Sequence, residues 1–129
     1  MTNRILLIGL RPGVVDYSQL PGMTAEKLAA GLEEQEAALN RLGFAASWCL
    51  VDAGETAEAV ALEALQARRY DVVLIGAGVR TLPKHFRLFE RLVNLVHEHA
   101  PGSRICFNTN PSDTTEAVLR WAKPPSSAT

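Results

Sequence analysis

Two arginines follow apolar runs in this sequence: Arg11 comes directly after RILLIGL, and Arg80 closes the turn in DVVLIGAGVRT. A guanidinium presents its donors in a planar fork that suits a carboxylate or a phosphate. The segments around them also carry Asp16 and Tyr17, then Gly76, Gly78 and Thr81, then Asn108, Asn110, Ser112 and Asp113. Together these residues form a candidate site for a small anionic ligand. His85 falls in the first turn of an expected helix, where the positive end of the dipole favours neutral imidazole, and it is the candidate general base. A structural alternative stands beside each role. The arginines can tether loops by pairing with Asp16, Asp52 or Asp113. Asp113 can cap a helix with Glu116 three residues later, as Asp52 can with Glu55. Asn108 and Asn110 are ordinary turn formers, and Gly76 and Gly78 ease a strand into a helix.

Several other chemistries lack their residues. Gly76 and Gly78 have the spacing of a dinucleotide fingerprint, but Thr81 stands at its third glycine and the turn does not follow the first strand. GLRPG has neither the length nor the Lys-Ser/Thr ending of a phosphate-binding loop. The acidic residues of a phosphorelay receiver are missing after the first and third strands. The loop after the first strand holds only Tyr17 and Ser18 as hydroxyls, a thin basis for a flavin phosphate, and no cofactor is expected. Cys49 and Cys106 lie in apolar stretches and read as small buried thiols. His97 and His99 are two apart on a helix, so they face different sides, and no metal site is expected. No set of nucleophile, base and orienting group can be assembled, and whether the protein is an enzyme stays open.

The 129 residues suit one domain, read as 1–122, followed by a flexible tail, KPPSSAT, at 123–129. Thirteen basic residues stand against fourteen acidic ones without a block of like charge, so no footprint for nucleic acid or an anionic membrane is present. The runs ILLI and VVLI are far shorter than the roughly 20 residues of a membrane helix, and the N-terminus lacks a secretory pattern. A soluble, cytoplasmic protein is the expectation.

What must position these residues is a sheet. RILLIGL (4–10) and DVVLIGA (71–77) are continuous apolar runs, as in strands covered on both faces. FAASWCLVD (44–52) and SRICFN (103–108) are mixed and suit the edges. Between them, a stripe of Leu28, Leu32, Leu39 and Leu42 ends at Gly43, and Ala57, Val60, Ala61, Ala64 and Leu65 mark a second helix. A third helix is expected from Pro83 to about His99, and a short fourth in DTTEAVLRWA. Strands joined by helices of this length must run parallel, which yields an α/β, doubly wound, three-layer domain. The expected strand order is 2-1-3-4, with the first and fourth helices on one face and the second and third on the other. Over residues 3–122 this pattern resembles small bacterial Rossmann-like and flavodoxin-like α/β proteins, a likeness of fold that implies no catalytic residues.

In such a sheet the ligand crevice lies beyond the carboxyl ends of the strands where the connections diverge, here between the first and third strands. The loop from Leu10 to Met23 is long for a connection that is typically about 2 to 6 residues, and it is a candidate lid. The third helix carries more apolar surface than one sheet face needs. Packing against the second helix can absorb part of the excess, but an exposed ridge of Leu88, Leu92 and Leu95 is a candidate homodimer contact, and a non-catalytic, homodimeric interaction module is the alternative function.

Overall fold

The computed structural model describes residues 3–125. Its sheet is built from β1 (Arg4–Leu10), β2 (Ala45–Val51), β3 (Val72–Ile75) and β4 (Arg104–Phe107). All four run parallel in the order β2-β1-β3-β4. The expected α/β architecture and strand order are therefore observed. Every residue of β1 after Arg4 is buried, as is all of β3, whereas β2 and β4 mix buried positions with half-buried and exposed ones. Continuous apolar runs thus sit at the centre and mixed runs at the edges, because only central strands are covered on both faces.

The helices are α1 (Ala25–Arg41), α2 (Ala57–Ala67), a single turn α3 (Ala77–Arg80), α4 (Phe86–His99) and α5 (Thr114–Leu119). Successive β-residues point to opposite faces, and the core divides accordingly. Leu6, Ile8, Val73 and Ile75 meet Ala57, Ala61 and Leu65 of α2 and Leu92 and Val96 of α4. Ile5, Leu7, Val72 and Leu74 meet Leu39 of α1 and Ala117 and Val118 of α5. At roughly 1.5–3 kcal/mol for each large aliphatic side chain fully buried, these two layers are the main force holding the sheet.

The ends of α1 follow directly from its sequence. Thr24 Oγ1 accepts the Lys27 N–H at 3.1 Å. At the other end Gly43 has φ +100°, its N–H bonds to Asn40 O at 3.0 Å, and Phe44 N–H bonds to Leu39 O at 3.2 Å. This is a Schellman ending, and its apolar pair, Leu39 with Phe44, lies in the core.

Three expectations about the helices change. Pro83–His85 forms a 3-10 turn, and α4 begins only at Phe86. The fourth helix, expected over DTTEAVLRWA, is the shorter Thr114–Leu119, preceded by a 3-10 turn at Pro111–Asp113. The third correction concerns the exposure of the α4 ridge. Leu92 is completely buried, and Leu88 and Leu95 are half-buried against the same core. The apolar stripe of α4 is broad because it serves two surfaces, the sheet and the slim alanine face of α2, where Ala57 and Ala61 are fully buried. Phe86, in the first turn, is the exposed aromatic of α4, at 61%.

Of the expected tail, the Lys123 carbonyl accepts from Asn3 Nδ2 at 2.9 Å, and residues 126–129 lie outside the described residues. Among the described residues no helix is long and apolar enough to cross a membrane.

Candidate functional site

β1 and β3 lie side by side, with Ile8 opposite Ile75, and the Gly76 N–H continues the ladder to Ile8 O at 2.8 Å. Arg11 and Arg80 therefore leave from neighbouring strand ends. Their guanidinium groups are nonetheless drawn apart. Arg11 forms an ion pair with Asp52, beyond the end of β2. Arg80 Nη2 donates to Asn108 O at 2.8 Å, beyond the end of β4, and the guanidinium lies 5.9 Å from the Phe107 ring centroid. Since β2 and β4 are the opposite edges of the sheet, each arginine ties a central strand end to its own outer neighbour.

What does lie at the β1/β3 crevice is a cavity of about 190 Å³, between the strand ends, the first half of α1 and the segment 11–23. Of the candidate residues, Gly76, Gly78, Thr81, Asn108 and Asn110 belong to its wall, together with Gly9, Ala77 and Thr109. Arg11, Asp16, Tyr17, Arg80, Ser112 and His85 do not. The rest of the wall is apolar: Leu10, Val15, Leu20, Leu28, Leu32, Trp48, Leu82 and Pro111. These were missed because Leu28 and Leu32 belong to the same stripe as Leu39 and read as core. One available signal was Gly9, a glycine inside a strand, which often marks the close approach of another group. A Cβ there would stand 3.1 Å from the Trp48 ring. Trp48 is in turn fixed to α1, its indole N–H donating to Leu32 O at 2.9 Å and its backbone N–H to Glu36 Oε2 at 2.9 Å.

Gly76 and Gly78 do not have the positive φ that would demand glycine; among the described residues only Gly22 and Gly43 do. At Gly76 a Cβ would meet Ile8 O at 3.4 Å, and at Gly78 only Leu10 Cδ1 at 3.9 Å. Close packing of the β3 exit on β1 accounts for the first, and the second has room for a methyl group.

The polar wall is a closed network. Asn108 is 2% exposed; its Oδ1 accepts the Ala77 N–H at 2.7 Å, and its Nδ2 donates to Thr114 Oγ1 at 2.9 Å. Thr81 Oγ1 donates to Ala77 O at 2.8 Å. Thr109 donates through its N–H and, at 2.6 Å, its hydroxyl to Asp113. Asn110 Oδ1 accepts the Ser112 N–H at 2.7 Å. Asp113 was expected to cap α5 with Glu116; instead it reaches back to Thr109 and Asn110 N–H and closes a capping box with Asn110. Partial burial pushes its carboxyl pKa up, but the hydrogen bonds from Thr109 and Asn110 outweigh this and hold it below the ordinary range.

The segment 11–23 is folded upon itself. Tyr17 Oη donates to Pro12 O at 2.7 Å, and Asp16 accepts the Ser18 N–H and hydroxyl at 3.0 and 2.6 Å. The bonds from Ser18, aided by Lys84 at 3.8 Å, lower the Asp16 pKa. Burial, and secondarily Glu26, raise that of Tyr17. His85 is buried at 6% exposure, and burial, with a smaller effect from Lys84, lowers its pKa. It is thus neutral, as its helix-start position implies, but it sits in packed protein and not at the expected rim. Both cysteines are buried and free. Burial raises the Cys49 thiol, and pushes Cys106 up to about 12, which leaves neither as a thiolate near neutrality.

No protein-family model matches this chain, and no curated protein is significantly similar to it in sequence.

Proposed function

We propose that the protein binds a small molecule in the crevice beyond β1 and β3, with segment 11–23 as its cover. The observation that carries this reading is the coincidence of a cavity with the point where the connections from β1 and β3 diverge, where open α/β sheets take their ligands. Val15 and Leu20 of the long β1–α1 connection complete the wall, which gives that connection a purpose beyond joining two elements. Binding, without covalent chemistry, is the reading that suits the wall: its hydroxyls are engaged and the thiols are buried elsewhere. A screen of small molecules against the ¹⁵N-labelled chain tests it. Binders should move the amides of Gly9, Gly76 and Gly78 and the Trp48 indole N–H; binders whose shifts map only to other surfaces would remove the reading.

A second reading, an anion held by Arg80, has one observation in its favour: Arg80 Nε is buried with no hydrogen-bond partner among the described residues. Arg80→Ala separates the cases. Loss of anion binding at an unchanged thermal midpoint supports the anion site, whereas a lowered midpoint with unchanged binding makes Arg80 a tether between β3 and β4.

A further inference from the structure

The chemistry of the crevice ligand follows from what its wall can and cannot solvate; the inference rests on the binding reading above. We infer that the ligand is uncharged and largely apolar, about the size of one substituted six-membered ring. The size comes from the cavity, about 190 Å³; an engineered apolar cavity of about 150 Å³ is known to hold benzene. Leu28, Leu32, Trp48, Leu82 and Pro111 belong to the wall, and Leu20 joins it from the cover. A flat ring fits such a space because the Trp48 indole, pressed over Gly9 and pinned by its bond to Leu32 O, is itself a fixed flat surface.

The same wall disfavours charge. No lysine, arginine or histidine belongs to it. Asn108 has its Oδ1 taken by the Ala77 N–H and one of its two Nδ2 hydrogens by Thr114 Oγ1. The side chains of Thr81, Thr109 and Asn110 are likewise engaged within the protein. An anion would give up part of its water against leucines and meet no cationic side chain in the wall. One neutral polar substituent is compatible, because Thr109 and Asn110 stand exposed to solvent at the mouth.

The test uses three probes on the full chain at fixed pH and ionic strength: benzyl alcohol, benzoate and inorganic phosphate. Benzyl alcohol should shift the Gly9, Gly76 and Gly78 amides and the Trp48 indole N–H along a saturable curve. Benzoate should need at least about tenfold more, and phosphate should leave these signals in place. Leu28→Phe, which fills the cavity, should abolish the benzyl alcohol response; Leu82→Phe does the same from another wall should the first variant fold poorly. Benzoate or phosphate binding at these amides as tightly as benzyl alcohol overturns the neutral, apolar class while leaving the crevice a binding site. A saturable response there to none of the three overturns both.

Discussion

Asn108→Ala should remove the central fastening of the sheet's carboxyl edge. In the native protein Asn108 Oδ1 takes the Ala77 N–H at 2.7 Å and Nδ2 serves Thr114 Oγ1 at 2.9 Å. Alanine leaves the Ala77 N–H unpaired at a buried position, at a cost of about 1–3 kcal/mol. Thr114 fares better, because its hydroxyl keeps a longer contact of 3.4 Å to Pro111 O, so its loss is about 0.5–1.5 kcal/mol. A total of about 1.5–4.5 kcal/mol is large against a typical stability of about 5–15 kcal/mol, yet the chain should still fold. In urea the midpoint should fall by about 1–2 M. Thr114→Val in the same background supplies a double-mutant cycle, with an expected coupling of about 1 kcal/mol. Hydrogen exchange adds a local readout: the Ala77 amide should lose protection under conditions where the β1 amides keep theirs. A cost under about 0.5 kcal/mol with Ala77 still protected would refute the reasoning, since it would mean that water from the neighbouring cavity serves the Ala77 N–H as well as Asn108 does.

Further expectations follow from burial, backbone and charge. Leu92→Glu places a carboxylate where exposure is nil and should cost more than about 3 kcal/mol in chemical denaturation, whereas Phe86→Ser, at 61% exposure, should stay within about 0.5 kcal/mol of the parent. Gly43→Ala forces a Cβ into φ +100° and should cost about 1–2 kcal/mol, read from the thermal midpoint. Gly102→Ala, with open space around the new methyl and no positive φ, should be neutral or slightly stabilising. Because the folded-state pKa of Asp113 is depressed, its contribution is present above the unfolded value of about 4 and disappears as pH falls through the folded one. Asp113→Asn should therefore flatten the acid limb of a midpoint-against-pH curve. His85 is also depressed, by burial and Lys84, but it is a base, so folding disfavours its proton and stability declines as pH drops below about 6.5. His85→Phe should remove that decline.

The fold was legible from short-range pattern. Apolar runs of strand length at 4–10 and 71–77 belong at the centre of a sheet, mixed runs at its edges, and helices between strands force parallel pairing; these rules suffice for β2-β1-β3-β4. Gly43 announced the end of α1 for a reason contained in its own residue type. Even the place of the crevice follows from strand order alone.

The occupants of the crevice do not, because they depend on where side chains go once distant segments meet. Arg11 and Arg80 start from adjacent strand ends, and only the presence of Asp52 beside one and the Asn108 carbonyl beside the other turns them outwards. Asn108 looked like a turn residue because its partners, Ala77 and Thr114, are recruited by tertiary contact. That α2 could take part of the broad α4 stripe was legible, but only packing shows that it takes Leu92 completely. Periodicity reports which face of an element is apolar; which neighbour satisfies that face, and what space is left between them, is decided by packing, and there the candidate site lies.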